Sequence, residues 1–214
     1  MTERDSEARP LDIANNSGGV MEKQVYSETV GAILDATHGA MDDIRKCLTA
    51  HDKQCLKKAE TEAHDMLTSS LPLVTKLVSA PDKDDLGKKF LTLLPSLQRI
   101  GMSVQTLLAR AKIKIDSDIL FTDKGLSELK HVISGVKDLV RDTKDILATG
   151  NPHLRREMKS EMEKLVKAAD DFALEHQERL ITGLCTPQAS YLYLDMMDAL
   201  KRTARELVHV AEKG

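Results

Sequence analysis

Few residues in this chain stand at spacings that could do chemistry. His51 and Cys55 are four apart, about one helical turn, a spacing that can hold a metal ion. No second ligand pair follows nearby, so a histidine at a helix start and a packed cysteine is the plainer expectation. His38, His64, His131, His153, His176 and His209 are scattered and read as surface or boundary residues. The carboxylates of Asp42-Asp43, Asp84-Asp85 and Asp170-Asp171 are sequence neighbours, so on a helix they splay apart and make no acid–base pair. Ser69 and Ser70 lie beside Pro72 and suit the patching of a kinked helix better than attack on a substrate. The chain has no nucleophile elbow, glycine-rich phosphate loop or metalloprotease helix. The expectation is a protein that is not an enzyme, with no catalytic residue, no metal ligand and no cofactor.

One stripe invites binding rather than catalysis. Lys201, Arg202 and Arg205, with His209 one turn on, line up near the C-terminus. They could hold an anion or an acidic partner helix. Glu206 and Glu212 interrupt the stripe, and a solvated outer face is the competing reading. Met158, Met162, Met196 and Met197 read as core filler at helical spacing.

Composition narrows the class. The chain has 214 residues, no Trp, three Phe and three Tyr, so its core is aliphatic with Met. That suits a helical bundle and disfavours a sandwich or barrel. A net charge of −3 with mixed signs offers no footprint for nucleic acid. No apolar run approaches the ~20 residues that span a bilayer, and the N-terminal stretch lacks the shape of a signal peptide. Cys47, Cys55 and Cys185 are odd in number and dispersed, which reads as reduced thiols in a cytoplasmic protein.

Apolar periodicity predicts six helices. Residues 1–20 are polar and read as a disordered tail. Glu22 to Ala50 is the first helix, and Lys53 to Ser79 the second, kinked at Pro72. Asp84 to Ala111 is the third, bent or late-starting because of Pro95. Thr122, a good cap, opens a fourth that runs to Leu147. Leu154 to Leu184 is the fifth, after the Gly150-Asn151-Pro152 break, and Gln188 to Glu212 the sixth.

The third and sixth predicted helices echo each other. Phe90, Leu94, Leu97, Gly101, Val104, Leu108 and Ala111 align with Tyr193, Met197, Leu200, Ala204, Leu207, Ala211 and Gly214. The steps alternate four and three, the seam of a packed helix, with a small residue mid-seam in both copies. Leu97-x-Arg99 matches Leu200-x-Arg202, and Leu48 to Asp52 sits where Leu147 to Asn151 sits. The chain reads as all-α: two tandem three-helix bundles of long antiparallel helices, residues 21–113 and 122–214, joined by a linker at 114–121.

With these residues in view, the chain resembles the PhoU family of phosphate-uptake regulators. Leu97-Gln98-Arg99-Ile100-Gly101 is similar to the family's Leu-Glu-Arg-Ile-Gly-Asp core. His176-Gln177-Glu178-Arg179-Leu180, Gly183, Cys185 and Ser190 to Leu194 look most like the PhoU-type cytoplasmic tails of sodium/phosphate cotransporters. The family binds metal through an acid and an Asp four positions on, in each third helix. Here those positions hold Gln98 and Met102, then Lys201 and Arg205. A neutral pair and a cationic pair cannot chelate a cation. The resemblance implies the fold and a regulator of phosphate transport or phosphate signalling that docks on a transporter or its signalling partner. Lys201, Arg202, Arg205, His176 and Arg179 are its candidate partner-binding residues. No nucleic acid and no membrane span of its own are implied, and a homodimer is left open. The alternatives are a scaffolding helical bundle with no phosphate link, or a metal-binding helical protein.

Overall fold

A computed structural model describes residues 11–50, 55–68, 71–79 and 85–214, with side chains detailed from Gln24 onward at most of these positions. Every element among them is a helix: α1 (Leu11–Ala50), α2 (Lys57–Thr68), α3 (Leu71–Ser79), α4 (Asp85–Asp116), α5 (Asp123–Thr149), α6 (Pro152–Ile181) and α7 (Pro187–Lys213). The all-α expectation holds. The boundaries differ in two places. α1 takes in half of the stretch expected to be a tail, while residues 1–10 lie outside the described residues. α4 runs to Asp116, into the expected linker, and continues through Pro95, which sits on its exposed side.

α2 and α3 flank residues 69 and 70, so the kink expected at Pro72 lies at the edge of the described residues; Leu71 is 51% exposed. Ser69 and Ser70 lie outside the described residues.

Local chemistry accounts for the sharper ends. The Thr122 hydroxyl accepts from the Gly125 N–H and caps α5. Gly150, at φ 64°, closes α5 in the left-handed conformation that glycine adopts without strain. Asn151 then accepts from the N–H groups of His153 and Leu154, with Pro152 at the start of α6. Thr186 repeats this at α7, accepting from Ala189 ahead of Pro187.

α4 packs most extensively on α7, and α1 lies against α4, α2 and α5. The α4–α7 and α1–α5 pairs are antiparallel, as their ion pairs show. Arg99 reaches Glu206 at 2.5 Å and Arg110 reaches Asp195 at 2.5 Å. Asp42 and Asp35 on α1 meet Lys137 and Lys144 on α5. The α4–α7 register brings Gly101 opposite Ala204. Along both seams Phe90, Leu97, Val104, Ala111, Tyr193, Met197, Leu200, Ala204, Leu207 and Ala211 are buried. α2 leans on α1 and α4; α6 lies against α5 and α7. At Gly135 a Cβ would stand 2.5 Å from Leu165, so glycine there lets α6 approach α5. One core cluster runs through the helices of both halves.

The cysteine expectation is corrected. Cys47, on the last turns of α1, and Cys55, just before α2, form a disulfide with Cα atoms 5.5 Å apart. The chain reversal between α1 and α2 brings them together, a proximity that dispersed spacing in sequence does not announce. Cys55 is therefore unavailable as a metal ligand, and His51 lies outside the described residues. Cys185 is a free thiol.

Leu200 is fully buried at the centre of α7. Leu200→Ala is expected to cost ~2–5 kcal/mol in urea denaturation, as a large-to-small core change does. A loss below about 0.5 kcal/mol, in the range of surface substitutions, would put this face of α7 in solvent.

Candidate functional site

The polar residues that the fold gathers most tightly lie where α5, α6 and α7 meet. α5 supplies Glu128, 3% exposed, from inside its own apolar stripe. α6 supplies His176 and Arg179, three apart and so on one face. α7 supplies Ser190 and Tyr193 in the same way. Arg179 binds the Glu128 carboxylate with both terminal nitrogens, at 3.1 and 2.6 Å. The Tyr193 hydroxyl donates to Glu128 Oε2 at 2.6 Å. The His176 ring stacks on Tyr193 with centroids 4.1 Å apart. Its Nε2 lies 2.9 Å from Ser190 Oγ, and its Nδ1 lies 3.4 Å from an Arg179 nitrogen. A guanidinium can only donate, so Nδ1 accepts, and the ring proton sits on Nε2 and points at Ser190.

Electrostatics keep this set in one protonation state. Burial, and then the Arg179 charge, hold the His176 pKa below its ordinary value, against a smaller opposing pull from Glu128. Burial, and then the Glu128 carboxylate, push the Tyr193 phenol well above its usual range. Glu128 is compensated by Arg179, by the Tyr193 hydroxyl and by Lys124, whose ammonium lies 3.5 Å from Oε1. Removing Arg179 takes away its one buried cationic partner. Most of these groups pair with one another, the buried Arg179 Nε being the exception among them, which is the pattern of a structural network rather than of a poised acid and base.

Beside it is a hollow of about 80 Å³ lined by Phe121, Thr122, His176, Cys185, Thr186 and Tyr193. Small-molecule sites run to ~300 Å³ or more; this one has room for a few waters. Lys114, at the end of α4, is 2% exposed, with its ammonium 5.3 Å from the Phe121 ring centre. Burial lowers its pKa.

The basic stripe on α7 divides in two. Lys201 is drawn in, 14% exposed, bridging Asp170 of α6 and Asp198, each at 2.7 Å. Arg202 and Arg205 are exposed, and neither has an ion-pair partner among the described residues. The two acids expected to interrupt the stripe are engaged elsewhere. Glu206 is taken by Arg99 at 2.5 Å, and Glu212 lies 3.9 Å from Lys159. Gln98 and Met102 lie on the outer side of α4, Met102 at 62% exposure.

Of the five partner-binding candidates, then, Arg202 and Arg205 face solvent. Lys201 is a bridge between helices, and His176 and Arg179 belong to the interior network. The two groups are not brought into one site. Sequence reasoning missed Glu128, Ser190 and Lys114. The signal for Glu128 was there: a carboxylate one residue before Leu129 and four before Val132, inside an otherwise apolar face.

No protein-family model matches the chain, and no curated protein matches it significantly. No described helix is long and apolar enough to cross a membrane.

The His176 environment sets a pH dependence. With its folded pKa below the unfolded value near 6.5, the unfolded chain takes up the proton first as pH falls. Stability from this group is complete above about pH 6.5 and is lost as pH drops toward the folded pKa. Urea midpoints of the native protein between pH 7.5 and 5 should fall more steeply than those of His176→Gln. Equal slopes would show that His176 is not held neutral.

Proposed function

We propose that this protein is a non-enzymatic, PhoU-like regulator of phosphate transport or phosphate signalling, acting in the cytoplasm by docking on a transporter or its signalling partner. The observation that carries the docking surface is the outer face of α7. Arg202 and Arg205 stand exposed and without an ion-pair partner among the described residues, while neighbouring Glu206 is neutralised by Arg99. What remains is a small cationic face on a rigid helix, suited to an acidic surface of a partner. The resemblance in Leu97 to Gly101 and in His176 to Leu194 supports the phosphate link. The engagement of Glu128, Arg179, Tyr193, His176 and Ser190 with one another favours a binding role over catalysis.

A rim contact of this sort mainly accelerates association and weakens as salt rises. Lys201 is left alone in the test, because a carboxylate there would face Asp170 and Asp198. The double reversal Arg202→Glu with Arg205→Glu should fold within about 0.5 kcal/mol of the native protein, as surface changes do. It should lose a phosphate transporter or its signalling partner, identified by mass spectrometry, from a pull-down at low salt. Unchanged recovery at low and moderate salt would move the docking surface elsewhere. Recovery of a constant partner set with no phosphate-transport protein would favour the scaffolding reading.

A further inference from the structure

Where α1 meets the start of α4 and the last turns of α5 and α7, the bundle leaves a cleft of about 540 Å³. Small-molecule sites run from ~300 to ~1,000 Å³. Its floor is apolar, made by Tyr26, Val30, Leu34, Phe90, Leu93 and Leu147, with the Tyr26 and Phe90 rings stacked at 5.7 Å. Its charged side chains are Lys89 of α4 and Lys144 of α5. Among the described residues no carboxylate, amide or imidazole side chain lines it. Lys89 donates to the Gly214 oxygen at 2.6 Å, and Lys144 reaches the exposed Asp35, outside the cleft, at 2.5 Å. An ammonium has three N–H donors, so each lysine can take a further acceptor. Gly31 of α1 completes the wall. Glycine weakens a helix interior, and a common reason for keeping one is the close approach of a neighbour, as Leu165 approaches Gly135. At Gly31 an added Cβ would meet nothing within 4 Å. There the missing side chain leaves the cleft open.

We propose that this cleft binds a medium-chain fatty acid, its acyl chain laid over the apolar floor and its carboxylate held by Lys89 and Lys144. Removing the chain from water drives binding, in proportion to the apolar area covered. The two ammonium groups give the head charge-assisted hydrogen bonds, stronger than neutral ones. Their shared sign, with no acid in the lining, selects an anion over a cation or a neutral lipid. A sugar or a nucleotide needs directional polar partners along its body, and the floor is carbon but for the Tyr26 hydroxyl. A flexible unbranched chain needs none. The cleft shares no residue with the Arg202 and Arg205 face, so it does not rest on the docking role of α7.

Isothermal titration of the full chain with sodium decanoate, below its micelle-forming concentration, tests the assignment. Saturable binding at one site per chain is expected. Decanol, the same chain without the charge, should bind at least tenfold more weakly, and acetate, the head without the chain, should not bind. Gly31→Phe puts a ring into the open space and should weaken decanoate at least tenfold, with the helical circular dichroism spectrum retained. Should that variant fail to fold, Lys89→Ala with Lys144→Ala, whose side chains reach solvent, carries the test: decanoate should then bind no more tightly than decanol. The proposal is overturned if decanoate does not saturate, or if decanol binds the native chain within tenfold of it. Native-like decanoate binding by a folded Gly31→Phe or double-lysine variant also overturns it. So does a native dimer that Gly31→Phe abolishes, which would give the cleft to a second copy of the chain.

Discussion

The structure depends on how closely α4 and α7 can approach. They are the central antiparallel pair, and each presents a seam stepping by four and three with one small residue in the middle. The ion pairs Arg99–Glu206 and Arg110–Asp195 bracket the contact and set its register, which places Gly101 opposite Ala204. A large residue at either position would hold the helices apart along their length. With the pair seated, α1 and α2 cover α4 on one side, and α5 and α6 cover α7 on the other. The ion pairs are partly exposed and contribute modestly; the buried aliphatic seam supplies most of the stability.

A second constraint orders the α5–α6–α7 half. An aliphatic interface alone tolerates sliding and repacking. Glu128 cannot slide without losing Arg179 and the Tyr193 hydroxyl, and His176 cannot turn without losing Ser190 or its stack on Tyr193. The network thereby favours one register of three helices, at a cost in desolvation. No comparable knot of buried polar groups occurs among the described residues of α2 and α3. There α2 is tied to its neighbours by its packing on α1 and α4, through Leu56, Ala59 and Ala63, and by the bond between Cys47 and Cys55.

Much of this was legible in the sequence, because helix burial has a period that aliphatic residues report directly. Val30, Ile33, Leu34, Met41, Ile44 and Leu48 on α1 were expected in the core and lie there. Thr122, Gly150, Asn151 and Pro152 marked helix ends through chemistry local to each residue. What escaped was non-local. The disulfide depended on a chain reversal. The buried roles of Glu128 and Lys114 depended on neighbours from other helices, and by residue type both belong at the surface. The stripe at Lys201, Arg202 and Arg205 was visible as charge, but its division into one bridge and two exposed arginines was set by Asp170 on a different helix.

The α4–α7 crossing is the claim on which the rest stands, and a double-mutant cycle on urea stability tests it most directly. Gly101→Leu and Ala204→Leu are measured singly and together. Overpacking at a buried helix contact costs on the order of 1–3 kcal/mol for each. If the two positions face each other, the helices are already forced apart by the first leucine, and the second costs less, with a coupling of at least about 0.5 kcal/mol. Costs that add to within about 0.3 kcal/mol, or an Ala204→Leu variant as stable as the native protein, would contradict the register.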